Sequence, residues 1–293
     1  MKNIDLPKKV KYKVRSCSSS EAADLTIYEG RTYKDYQAFL KEFPDTRVTE
    51  MDTVLGCEGS KKVLLTLHFD CCSLMMAYLL DSKEVCHVKA IFDSIERSLG
   101  TFSFSSVFSL VLTDRGGEFR NPAALECGQE NLIRTSIYYC DPMCSWQKPH
   151  CEKNHEYIRK ICPKGTSFDD YSQEDITLMM SHINSSPRQS LGGMSPLKLA
   201  KLMLPSEVID YFGLTEIPDD EIVLTPALLQ KLNQTLHMNL RIRVLHIFSS
   251  RQVEFSLTGH DSSCLISTPF SSKCTNNVWL NSTLKGLTHF VKP

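Results

Sequence analysis

Three carboxylates in this chain of 293 residues stand where a divalent-metal site could form. Asp52 lies late in an alternating segment and Asp114 directly follows a buried-type apolar run. Glu152 opens a helical stretch that also carries Glu156 and Arg159 on the same face. Converging acids repel unless cations neutralise them, and oxygen-only ligands suit Mg²⁺ or Mn²⁺. Two such ions, about 4 Å apart, activate a nucleophile and stabilise a leaving oxygen in phosphoryl displacement. Glu156 is the rival third acid, one turn deeper. Glu152 also has a plainer reading, since an acid in a first turn complements the helix dipole.

The surrounding elements decide whether these acids meet. The pattern predicts strands over Val48–Leu55, Val63–Phe69 and Leu74–Leu80, then a helix over Ser82–Leu99 with Ser82 as N-cap and Gly100 as stop. Further strands are expected at Phe108–Thr113 and Thr135–Tyr139, with a short helix between them. Helices follow at Cys151–Cys162, at Gln173–Ile183 capped by Ser172, and at Pro196–Met203. A hairpin meander followed by β-α-β implies an α/β fold: a ribonuclease H-like five-stranded mixed sheet flanked by helices, as in an integrase catalytic core. In that topology the first strand runs parallel to the fourth, so Asp52 and Asp114 reach the same sheet edge. Asp70 ends the antiparallel second strand. Folding the hairpin about Glu58 sets it near Arg47, about 20 Å from Asp52, as a turn residue.

Apolar residues make up 42 % and charged residues 23 %, which excludes wholesale disorder and supports a large core. No apolar run is long enough to span a bilayer, and the lysine-rich start is not a secretory signal. Twelve cysteines without such a signal are read as reduced thiols. The net charge of −1 hides segments of +3 (1–48), −3 (49–204), −5 (205–233) and +4 (234–293). The basic arm with Lys9, Lys11 and Lys13 is either a solvated terminus or a phosphate-contacting arm. Cys140, Cys144, His150 and Cys151 lack the paired spacing of a zinc site and are read as isolated thiols and a histidine. Trp146 is either core packing or a platform for base stacking.

Several ordered stretches resemble one family: GRTYKDYQAFL (Gly30–Leu40), VTEMDTVLG (Val48–Gly56), LLTLHF (Leu64–Phe69) and LTDRGGEFRNP (Leu112–Pro122). YYCDPMCSWQK (Tyr138–Lys148), CEKNHEYIRKICPKGTSFD (Cys151–Asp169) and INSSPRQSLGGMSPLKL (Ile183–Leu199) continue the match. From Gly30 to about Lys231 the chain resembles bacterial insertion-sequence DDE transposases of the insertion sequence 30 type, which carry an integrase core domain. The resemblance implies a catalytic and metal-binding triad of Asp52, Asp114 and Glu152 holding two Mg²⁺ or Mn²⁺ ions. It implies Arg159 facing DNA phosphate or positioning the third acid, and makes Lys153, Asn154, His155 and Trp146 candidates for DNA contact.

The chain departs from that family in three places. No helix-turn-helix region precedes Lys2, Pro149-His150-Cys151 replaces a Gly-rich approach to the glutamate, and nothing is recognisable beyond about Asn233. The expected organisation is a basic arm or linker over 1–44, a catalytic core over 45–205, an acidic extension over 206–233 and a tail of uncertain status over 234–293. That tail is expected to be an accessory segment or the product of a shifted frame. The resemblance implies a DNA transposase, truncated or whole, that cleaves mobile-element ends and transfers strands into target DNA. It would work as a homodimer or larger assembly, in the bacterial cytoplasm at the nucleoid, without a membrane. An inactive DNA-binding relic and a metal-dependent nuclease without strand transfer remain open alternatives.

Overall fold

The computed structural model describes residues 25–128 and 131–229. The basic arm with Lys9, Lys11 and Lys13, and the tail over 234–293, lie outside those residues. Strand β1 (Val48–Leu55) turns back into β2 (Val63–Phe69), and β3 (Leu74–Leu80) completes an antiparallel meander. Strands β4 (Leu110–Thr113) and β5 (Ser136–Tyr139) join in parallel on the other side of β1, giving the order β3-β2-β1-β4-β5. This is the expected ribonuclease H-like sheet. All seven residues of β2 are buried, as a strand covered on both faces requires.

Eight helices surround the sheet among the described residues: α1 (Tyr33–Glu42), α2 (Val85–Leu99), α3 (Thr101–Val107), α4 (Pro122–Glu126), α5 (Pro149–Ile161), α6 (Gln173–Ser185), α7 (Pro196–Met203) and α8 (Ser206–Phe212). None is long and apolar enough to cross a membrane. On one sheet face Met51, Leu65, Leu67 and Phe69 join Phe92, Phe104, Val208 and Phe212 in the main core. On the opposite face Val48, Leu110 and Leu112 pack with Tyr36 and Cys140, while α5 lies against β1 and β2. The pairs Glu50 with His68 and Asp52 with Thr66 therefore share the face under α5.

The structure shifts several boundaries, each for a local reason. Helix α2 starts at Val85 with Glu84 as an N-cap that makes no side-chain bond, so Ser82 is not its cap. Lys83 instead reaches the buried Glu118, at 3.3 Å. Gly100, at φ 79°, does end α2, and the unannounced α3 follows it at once. Phe108 then caps α3 by donating to the Phe104 carbonyl, which delays β4 to Leu110. Helix α5 begins at Pro149, whose fixed φ and missing N–H suit a first helical position. The hairpin register places Asp70 against Val48, one residue from the expected Arg47, with Asp70 N–H donating to the Val48 carbonyl. Helix α8 adds Val208 and Phe212 to the main core, so the packed unit extends past residue 205.

The free edge of β3 is closed by side chains of α6. Gln173 accepts from Leu79 N–H at 2.8 Å and donates to the Ala77 carbonyl at 3.0 Å. Asn184 accepts from Met75 N–H at 3.0 Å and donates back to the Met75 carbonyl at 2.7 Å. Two carboxamides thus complete a ladder that would otherwise offer unpaired groups. Asn184 is fully buried. Asn184→Ala is expected to cost about 2–4 kcal/mol, because two buried backbone groups lose their partners. Urea denaturation of the variant and the parent checks this.

Candidate active site

The β1–β4 register pairs Glu50 with Leu112, and two further residues along both strands bring Asp52 beside Asp114. Asp52 thus lies in the second half of β1 and Asp114 directly after β4, at neighbouring positions on parallel strands. The Thr113 hydroxyl clasps the two strands by donating to the Met51 carbonyl at 3.1 Å. Asp52 Oδ1 accepts from Thr53 N–H at 2.7 Å, and Asp114 Oδ1 accepts from Gly116 N–H at 2.9 Å. Local turns thus orient each carboxylate. Gly116 leaves room for the Glu118 carboxylate, since a Cβ there would lie 2.6 Å from it and the carboxylate would have to shift. Glu118 is itself held by the Thr53 hydroxyl at 2.7 Å.

Lys148 supplies the counter-charge. Its ammonium lies 3.2 Å from Asp52 Oδ2, donates to the Met51 carbonyl at 3.1 Å, and is buried. Burial is the largest influence on this amine and would lower its pKa. The carboxylates of Asp52 and Asp114 outweigh burial and raise it. The buried Cys140 thiol lies within the same fields. It is pushed up to about 12 by burial and by Glu50, Asp114 and Asp52, against the opposing pull of Lys148.

Helix α5 is pinned along β1 and β2 by successive residues. Cys151 N–H donates to Glu50 Oε2 at 2.7 Å, His155 Nε2 meets the Thr66 hydroxyl at 2.8 Å, and Arg159 Nη2 donates to the Leu55 carbonyl at 2.9 Å. Glu50 is pushed up to about 7 by its burial, with Asp70 adding to the rise and the Cys151 N–H opposing it. Burial lowers the His155 pKa even though Asp52 pulls the other way. Glu152 stands exposed in the first turn of α5, on a groove it shares with His155, Glu156, Arg159, Lys160 and Lys164. Among the described residues, the acidic, histidine and cysteine groups whose ligand atoms lie within 4.8 Å of one another are Glu84–Cys86–His87 and Glu50–Asp70–His150. Asp52, Asp114 and Glu152 are not drawn together that closely.

The candidate DNA contacts separate by exposure. Trp146 is 67 % exposed, which removes its reading as a core residue, and its ring meets Tyr33 edge-on. Lys153 is exposed. Asn154 is buried with its amide used internally: Nδ2 donates to the His150 carbonyl and Oδ1 accepts from Arg188 Nη1 at 2.7 Å. It therefore presents no surface for DNA, and its role is to link α5 to Arg188. Arg159 likewise points to the end of β1. Lys148, Glu50 and Arg188 are the residues the sequence reading did not single out. Lys148 sits inside the stretch YYCDPMCSWQK, but no spacing rule marks a lysine just before a helix as the partner of a strand aspartate.

No family model matches the chain. The chain is 33 % identical over 91 residues to a transposase for insertion sequence element IS1086 from Cupriavidus metallidurans, covering 31 % of this chain and 26 % of that protein. It is 26 % identical over 165 residues to a transposase for IS4351 from Bacteroides fragilis, covering 55 % and 47 %. It is 31 % identical over 74 residues to transposase InsI for IS30A from Escherichia coli, covering 25 % and 17 %. The chain thus spans half or less of the length of these curated relatives. Among solved structures, the catalytic core domain of BIV integrase aligns with 56 % of this chain and 97 % of its own, at 15 % identity and a TM-score of 0.36. In sequence the chain is similar to insertion-sequence transposases, those of the insertion sequence 30 elements among them.

Proposed function

We propose that this chain is the catalytic core of a DNA transposase that cleaves the ends of a mobile element and joins them to target DNA. The observation that carries this reading is the placement of Asp52 and Asp114 at neighbouring positions on parallel strands, with the helix of Glu152 fastened to β1 and β2 at Glu50 and Thr66. A cation is already drawn to this point, since the Lys148 ammonium stands against Asp52. The donors are all carboxylate oxygens, a set that fits Mg²⁺ or Mn²⁺. Asp52, Asp114 and Glu152 would hold two ions. When bound, such ions neutralise the charge on the reacting phosphodiester and favour in-line displacement.

The chain's own residues do the positioning. Lys148 holds the Asp52 carboxylate in place through their 3.2 Å ion pair. His155 and Arg159 hold α5 in register with β2 and β1. Lys153 and Trp146, both exposed, would meet a DNA phosphate and an unstacked base. Bringing two element ends together requires at least a dimer during reaction. The expected place of action is the bacterial cytoplasm at the nucleoid.

Two measurements test this reading. Mg²⁺-dependent nicking and joining of end-containing DNA should fall at least about a thousandfold in Asp52→Asn and in Glu152→Gln, the equivalent of about 4 kcal/mol of barrier. Equal activity in wild type and both variants would remove the triad assignment, and nicking without joined products would leave a nuclease. Lys148→Met should lose about 2 kcal/mol without divalent ions, a melting-point drop of about 4–8 °C, because Asp52 and Asp114 then repel uncompensated. Added Mg²⁺ should restore more of the melting temperature in this variant than in the parent, as thermal denaturation would record.

A further inference from the structure

A second group of ligand-type side chains lies at the other end of the same β1–β2 face, around Asp70. Glu50, Asp70 and His150 each offer a ligand atom within 4.8 Å of the others. The three come from different elements: Glu50 from β1, Asp70 from the turn after β2, and His150 from the first turn of α5. Glu50 forms a buried floor, whereas the side chains of Asp70 and His150 are 34 % and 53 % exposed. The group is therefore open on one side. Glu50 Oε2 is fixed by Cys151 N–H at 2.7 Å, which presets the orientation of the carboxylate.

The independent observation is His68. It is fully buried, and neither ring nitrogen has a hydrogen-bond partner. An interior imidazole with no hydrogen bond, and only the looser approach of the Asp70 carboxylate, is costly and calls for an explanation. Its ring stacks parallel to that of His150, with centroids 5.4 Å apart, and pairs across the hairpin with Glu50. His68 Nδ1 lies 3.5 Å from Asp70 Oδ1, and His150 Nε2 lies 3.8 Å from the same oxygen. Both separations exceed an ordinary hydrogen bond. They approach the edge of about 3.4 Å between ligands of a tetrahedral ion bound at about 2.0–2.1 Å.

We infer that Glu50, Asp70 and His150 form a transition-metal site, with His68 as the buried imidazole beside it, and that the ion it takes is Zn²⁺. Mixed imidazole and carboxylate donors in a small open group suit zinc, in contrast to the all-oxygen set at Asp52 and Asp114. The cysteines Cys140 and Cys144 take no part, so this is not the zinc spacing weighed on the sequence. The site stands apart from the proposed triad but is mechanically joined to it. Glu50 lies two residues before Asp52, and His150 two residues before Glu152. A bound zinc would tie β1, the end of β2 and the start of α5 together, and so fix the elements that carry two of the three acids.

The test uses the full chain, freed of metal by chelation and titrated with ZnCl₂ in excess Mg²⁺, which would fill the all-oxygen group at Asp52 and Asp114. One equivalent is expected to bind, raising the melting temperature by about 5–10 °C at free zinc 100-fold above the dissociation constant. His150→Ala and Asp70→Asn should each weaken binding at least tenfold, as measured by competition with a chromogenic chelator, with circular dichroism confirming that both variants fold. Asp52→Asn should bind zinc as the parent does. Co²⁺ in place of zinc should give visible bands of tetrahedral nitrogen–oxygen ligation that vanish in His150→Ala. Absence of stoichiometric binding, binding unaffected by His150→Ala and Asp70→Asn, or binding lost in Asp52→Asn would each overturn the inference. The zinc measurements do not depend on strand transfer, so failure of either proposal is visible without the other.

Discussion

Placing Asp52 and Asp114 at neighbouring positions on two parallel strands brings two negative charges together beneath a helix. Like charges at neighbouring positions disfavour one another, more so where the dielectric is reduced. The architecture around it answers that repulsion. Lys148 is buried so that its ammonium reaches Asp52, and the Met51 carbonyl accepts one of its protons. A lysine so far from water would ordinarily shed its charge, but here the carboxylates keep it protonated. The parallel pairing of β1 and β4, the turn after β4 and the start of α5 all converge on this one electrostatic balance.

Helix α5 transmits that balance through the fold. It is joined to the sheet at Glu50, Thr66 and Leu55, one contact near each turn, so it cannot slide along β1 without breaking all three. Asn154 turns the opposite side of the helix toward Arg188, whose guanidinium also lies over the Tyr157 ring at 4.8 Å. The segment after α6 is thereby fastened to the helix that bears Glu152. These contacts hold the spacing between the helix and the segments on either side of it. At the far edge, the carboxamides of α6 finish the sheet where pairing stops.

The same face of β1 presents two chemically distinct groups of donors. Toward its C-terminal end the groups are carboxylates alone, with Lys148 in attendance. Toward its start, Glu50 and Asp70 are joined by imidazoles. Hard, strongly hydrated ions prefer the former and borderline ions the latter. The alternation of a β-strand makes this possible, because Glu50 and Asp52 must point the same way.

The sheet order and the shared edge of Asp52 and Asp114 were legible in the chain, because apolar runs of strand length and helical periodicity constrain how five strands can connect. The capping box of α6 at Ser172 and the Gly100 stop were legible for the same local reason. Helix α3 was not, since Thr101–Val107 alternates phenylalanine and serine and carries no amphipathic stripe. Nor was the cap of α2, where Lys83 answers a distant Glu118 rather than its own helix. Lys148, His68 and Arg188 gain their meaning only from partners at the far ends of other elements. Sequence alone determined which strands pair and which acids share an edge, because both follow from period and connectivity. Tertiary structure decided which cation faces Asp52 and which imidazole is left without a hydrogen bond, because charge compensation and burial depend on residues far apart in the chain.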